Sequence, residues 1–165
     1  MRIAFIYRWC IILMLSLMVQ PMLAQNQKNS RRNDNYTPTK KGTPGYYDYT
    51  VRHLFKQGLW GSGKKLLDEG LSKYETVWSL NELMGSYWLH YKKYDRARYF
   101  LIRSLRDDNK NPQTLQMLMK VEEMTHHYSS AIVYCNQLLE LAPYEYNLWR
   151  KKIELYRLQG NNVEA

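Results

Sequence analysis

Residues 84–97 read MGSYWLHYKKYDRA, and 34 residues on, residues 118–131 read LMKVEEMTHHYSSA. The two stretches share little, yet both end on a tyrosine followed three residues later by alanine. The interval extends across the chain. Trp60, Tyr94, Tyr128 and Asn162 form one column, and Gly63, Ala97, Ala131 and Ala165 form a second. Leu67, Leu101 and Cys135 keep the same step, as do Leu71, Leu105 and Leu139. Four columns in one phase mean a single supersecondary unit, repeated and stacked.

The unit is helical. From Tyr47 onward apolar residues recur at spacings of three and four, which places them on one face of a helix, and strand-like alternation is missing. Thr76, or Ser79 with Glu82 three residues on, predicts a cap for a helix over about 77–91. Asn111-Pro112 predicts a capped start with proline in the first turn, and Pro143 and Gly160 predict two helix ends. Within each unit the aromatic residue opens the second helix and fills the gap at the turn. The small residue one turn later lets the two helices approach, and the leucine column packs the second helix on the first and on the next unit. No unit can bury its own apolar face, so neighbours must stack.

Met84-Gly85, Trp88, Tyr94 and Ala97 resemble the Leu-Gly, aromatic, aromatic, Ala pattern of the tetratricopeptide repeat. Tyr128, Ala131, Cys135, Leu139 and Pro143 are similar to its second half, and Trp149, Tyr156, Gly160 and Ala165 to the opening of a further repeat. The resemblance covers about residues 44–165 and implies an all-α fold: a right-handed solenoid of helical hairpins, about three full repeats plus the first helix of a fourth. Val163-Glu164-Ala165 starts another helix, so the sequence reads as a piece of a longer solenoid or a truncated one. Three departures stand out. Thr50-Val51 replaces Leu-Gly, which predicts looser packing in the first repeat. Glu122 stands where a large apolar residue is usual, and Lys152 occupies an inward position.

The resemblance also implies a docking face. First helices of such repeats line a concave groove for a peptide or partner helix. Carried over, the groove takes Asp48, Arg52, Phe55 and Lys56 from the first repeat, and Ser79, Glu82, Ser86, Leu89 and His90 from the second. The third supplies Gln113, Gln116, Lys120 and Glu123, and the fourth Asn147, Arg150, Glu154 and Arg157. This polar mixture suits hydrogen bonds to an extended chain. Some members clamp acidic C-termini with Lys, Asn and Arg. Asp48, Leu83, Gln113 and Met117 stand at those positions here, so that clamp is absent.

Outside the repeats the chain changes character. Residues 1–24 begin with Arg2 and Arg8, continue through an apolar run from Cys10 to Val19 broken only by Ser16, and reach Pro21 and Ala24. That is the order of a secretory signal peptide, and the run is short of the ~20 residues that cross a bilayer. Residues 25–46 are polar and basic and predict a disordered linker. The 165-residue chain carries a net charge of +9, which falls to +7 without residues 1–24, and Lys28, Arg31, Arg32, Lys40 and Lys41 against Asp34 supply +4 of it. Basicity is mostly a property of this tail. With Cys10 gone, Cys135 remains alone, and its place in the leucine column predicts a buried hydrophobe.

Other chemistry finds little support. Gly58-Leu59-Trp60-Gly61-Ser62-Gly63-Lys64-Lys65 nearly spells a phosphate-binding loop, but Lys65 has no hydroxyl for magnesium and no strand precedes it, so it predicts an inter-helix turn. His53, His90, His126 and His127 form no i, i+4 pair, and no residues are assigned to a metal, a cofactor or catalysis. Lys92, Lys93, Arg96 and Arg98 are interleaved with Asp95 and read as a solvated helix face rather than a nucleic-acid site. The expectation is a non-enzymatic, exported scaffold, periplasmic or envelope-associated, that binds another protein. Two alternatives are a docking arm of a longer envelope protein and a peripheral binder of an anionic surface through residues 28–41. Ala97→Trp should overfill the inter-helix contact and lower the melting temperature sharply; an unchanged melting curve contradicts the repeat register.

Overall fold

The computed structural model describes residues 40–160. The expected leader, the linker up to residue 39, and Asn162 through Ala165 lie outside the described residues. Seven helices follow one another: α1 Pro44–Lys56, α2 Trp60–Lys73, α3 Trp78–His90, α4 Tyr94–Asp107, α5 Pro112–Met124, α6 Tyr128–Leu141 and α7 Tyr146–Gln159. No strand occurs among the described residues. The pairs α1–α2, α3–α4 and α5–α6 are three hairpins, and α7 is the first helix of a fourth.

Local chemistry sets most of the helix ends. At α1 the Thr43 hydroxyl accepts the Tyr46 amide at 3.4 Å, and Pro44 supplies a pre-set φ at the first position. The helix therefore begins inside the stretch that composition alone assigns to a linker, because cap and proline decide the start. At α5 the Asn111 side chain accepts the Thr114 amide at 3.0 Å, as expected. The expected cap of α3 is not formed. Val77 is the N-cap residue and makes no side-chain bond, because Ser79 already lies inside the helix and Glu82 turns into the interior. Asn81 braces this entry instead, donating to the carbonyls of Glu75 at 2.8 Å and Val77 at 3.0 Å. The helix α6 ends ahead of Pro143, and α7 ends at Gly160 with φ +89°.

The turns inside the hairpins repeat with the same step. Gly58, Lys92 and His126 all take positive φ, at 76°, 56° and 61°. In each, the next amide reaches back five residues: Leu59 to Leu54, Lys93 to Trp88 and His127 to Glu122, at 2.9, 2.9 and 2.8 Å. This is a Schellman-type stop. Only Gly58 signals it, since lysine and histidine rarely adopt that region. The phosphate-loop look-alike is this turn, with Gly63 packed against Phe55.

Packing follows the columns. Gly63, Ala97 and Ala131 are buried, and Leu67, Leu101 and Cys135 are fully enclosed. A Cβ on Gly85 would lie 2.5 Å from Leu101 Cγ, so α3 and α4 approach at a distance open only to glycine. In the first repeat the contact is relocated: Val51 is fully buried, and Gly70 of α2 receives Tyr47, whose Cγ would lie 2.9 Å from an added Cβ. The expected loosening is thus met by a tyrosine set into a glycine notch. The Cys135 thiol donates to the Leu148 carbonyl at 3.4 Å, and burial pushes its pKa up.

The other departures are accommodated electrostatically. Glu122 is buried against Arg98, whose Nε donates to it at 2.6 Å; that hydrogen bond outweighs burial and raises the arginine pKa. Lys152 lies over the rings of Trp149 and Tyr156 at 5.3 and 5.9 Å. Trp149, expected as a packing residue, is 47% exposed. Its Nε1 donates to the Pro143 carbonyl at 2.9 Å, which lays the ring along the helix entry. Leu155 is the enclosed residue of α7 instead, with Leu148 and Tyr156 beside it.

First helices lie side by side, α1 on α3 and α3 on α5, while α2, α4 and α6 make no comparable contact with one another. A stack closer along its first helices than along its second ones is concave on the first-helix side. Gly85→Val should cost about 1–3 kcal/mol by overpacking against Leu101, read by thermal melting. Gly61→Ala, where an added Cβ meets nothing within 4 Å, should be neutral or slightly stabilising.

Candidate functional site

The concave face is built from α1, α3, α5 and α7, and its first half is closed by polar bonding. Arg52 Nε donates to both Asp48 oxygens at 3.1 and 3.2 Å, and its terminal nitrogen donates to Glu82 Oε1 at 3.0 Å. The other Glu82 oxygen accepts the Thr114 hydroxyl at 3.1 Å, and Thr114 lies 3.3 Å from the Ser104 hydroxyl. Burial works against the charge on Arg52, but Asp48 and then Glu82 outweigh it and raise its pKa. This chain of bonds joins α1, α3, α5 and α4 through the interior.

Two expected groove residues are therefore not available to a partner. Glu82 is 2% exposed and has both oxygens engaged. Phe55 is buried in the first hairpin, stacked on Trp60 at 4.5 Å and near Tyr87 at 6.1 Å. Helical phase places both on the first-helix side, but each turns into the seam between helices. Asp48 and Arg52 are half-buried and bonded to one another, while Ser79 and Ser86 are half-buried. Lys56 is exposed at the end of α1, and His90 lies against Trp60 with ring centres 3.9 Å apart.

The second half opens. The contact between α5 and α7 is sparser than between the earlier first helices, and the space between them is a cavity of about 720 Å³. Gln116, Lys120, Glu123 and Asn147, all expected in the groove, line it. Lys151 spans the gap, donating to Glu123 at 3.1 Å and to Glu154 at 2.8 Å. Its burial is the largest influence and opposes the charge, yet Glu154 and Glu123 together raise its pKa. A neighbouring depression of about 440 Å³ is lined by Leu89, Gln113, Gln116, Lys120, Pro112 and Met117. Arg150 and Arg157 are exposed on α7.

Sequence reasoning missed the apolar lining of the larger cavity: Met119 and Met124 of α5, Leu138 and Leu141 of α6, and Leu148 of α7. Leu138 and Leu141 belong to a second helix, and only the separation of α5 from α7 exposes that helix end to the concave side. Among the described residues no group of three or more His, Cys, Asp or Glu side chains is placed to hold a metal ion. No helix among them is long and apolar enough to cross a membrane.

No protein-family model matches the sequence, and no curated protein does. Solved structures do. MamA of AMB-1 superposes with a TM-score of 0.67 at 21% identity, over 74% of this chain and 67% of that one. The first TPR domain of human RPAP3 gives a TM-score of 0.62 at 13% identity, over 72% of this chain and 94% of that one. The Arabidopsis OM64 TPR domain gives 0.63 at 13%, over 69% and 94%. The fold is that of the tetratricopeptide repeat. At these identities the likeness concerns the TPR architecture, and the cavity is described from this chain's own residues.

Within that TPR architecture the bonded half should be structural. Glu82→Ala leaves Arg52 and Thr114 without their shared acceptor and should cost about 1–3 kcal/mol in urea denaturation, the partial exposure of Arg52 keeping it below the range for fully buried pairs. Gln113→Ala, which disturbs no bond, should change stability by less than about 0.5 kcal/mol.

Proposed function

We propose that the chain is a non-enzymatic scaffold of the cell envelope that binds a peptide or a partner protein along its concave face. The observation that carries this reading is the opening between α5 and α7. It combines an apolar floor of Met119, Leu138, Leu141 and Leu148 with a polar margin, within the size range of ligand pockets. Gln113, Gln116 and Lys120 are exposed and carry no internal partner, so their donors and acceptors are free for another chain.

An extended segment lying along α5 would place an apolar side chain between α5 and α7. The amides of Gln113 and Gln116 would meet its backbone, and Lys120 would meet a carboxylate. Side-chain bonds to its main chain would supply attraction, and the apolar pocket would supply selectivity. The leader-like residues 1–24 support an envelope location for the encounter.

A photo-crosslinking side chain placed at Gln116, in the cavity wall, should capture discrete partners in cell envelopes. The same side chain at Val133, exposed on the second helix α6, should capture few. Equal capture at both positions would remove the support for a concave docking face.

A further inference from the structure

The edge of the solenoid that carries the hairpin turns is unlike the concave face. Between residues 56–65 and 90–96 the sequence places Lys56, Lys64, Lys65, Lys92, Lys93 and Arg96 against the lone acidic Asp95. The fold brings both segments together: Trp60 lies on His90 with ring centres 3.9 Å apart, and Lys64 and Arg96 both lie over Trp88, at 5.7 and 4.6 Å. Lys64 is neutralised by Asp68 at 2.7 Å, and Asp95 is taken by Arg98 at 3.0 Å. Lys56, Lys65, Lys92 and Lys93 are exposed and unpaired. Two apolar side chains project from the same turns, Leu59 at 49% and Tyr91 at 46% exposure.

We infer that the edge formed by the first two hairpin turns docks onto an anionic lipid membrane. Unpaired lysines around a projecting leucine and tyrosine are what a charged headgroup layer over an apolar interior favours. Ammonium groups remain among phosphates while apolar tips enter the interface. A single-stranded nucleic acid would match the charge, but it needs free ring faces on which to stack. Here Trp60 is stacked on Phe55 and His90 and Trp88 is covered by Arg96, so of the rings at these two turns Tyr91 alone projects, and one ring is no platform for successive bases. The edge lies apart from the cavity between α5 and α7, so membrane contact and a concave ligand are compatible.

The test is co-sedimentation of the full chain with vesicles of phosphatidylglycerol and phosphatidylcholine in equal parts. The double variant Lys92→Glu, Lys93→Glu should lower partitioning at least about 25-fold, since losing each lysine near an anionic surface costs about fivefold and each new glutamate adds repulsion. Arg106→Glu with Lys110→Glu makes the same charge change at the end of α4 and just beyond it, and should lower partitioning less than about threefold. Leu59→Asp should weaken the binding that survives high salt. Aspartate is a favoured residue at the N-cap position Leu59 holds, so the variant should stay folded, as circular dichroism would verify. Equal loss from the two charge pairs would overturn the inference, because binding would then follow net charge or the basic segment before residue 42. Leu59→Asp binding like wild type, or a short single-stranded RNA displacing the protein from vesicles while losing affinity in parallel across the variants, would equally overturn it.

Discussion

Gly85 faces Leu101 at a distance that leaves no room for a Cβ, and much of the architecture depends on contacts of this kind. Two helices joined by a short turn bury area only if their backbones come close, and dispersion attraction fades within an ångström of lost contact. The small-residue column is the sequence form of that constraint. Val51 stands at the Gly85 position of the first repeat, and there the hairpin sets its notch at Gly70 and fills it with Tyr47. Tyr47 is then tied down, its hydroxyl donating to Glu69 at 2.6 Å. Lys73 and that hydroxyl, in this order, hold the Glu69 carboxyl below its usual range.

Close hairpins alone would give a stack without fixed curvature. Curvature comes from the unequal seams: first helices touch, second helices do not. In the first two seams, buried polar groups join the helices. Arg52 couples α1 to α3, and Glu82 with Thr114 couples α3 to α5. Each group gains by keeping its partners, because unpaired polar atoms in a low-dielectric seam are costly. At the third seam Lys151 reaches only exposed or half-buried carboxylates, and the helices stand apart. An enclosed carboxylate like Glu82, which serves the first two seams, has no counterpart between α5 and α7, where the cavity lies.

A division of labour follows. The concave side presents amides, one free lysine and an apolar floor, whereas the turn edge presents lysines around two projecting apolar groups. Aromatic stacking through Phe55, Trp60 and His90 joins the two turns and occupies ring faces there. The chemistry left over for a partner therefore differs on the two surfaces, although the same repeat builds both.

The sequence by itself determined the repeat length, the all-helical character, the buried columns and the capped start of α5, because periodicity and caps are local properties of the chain. It placed Gln116, Lys120, Glu123 and Asn147 on the open face, since helical phase is local too. It could not place Phe55, Glu82 or Trp149. Phase says which side of a helix a residue occupies, not whether a neighbour covers it. Only the tertiary structure decided that Glu82 is enclosed by Arg52 and Thr114, that Trp149 lies along its own helix entry, and that Leu138 and Leu141 border a cavity. Those outcomes depend on the distance between non-adjacent helices, which is set by the sum of packing and polar bonding across the stack.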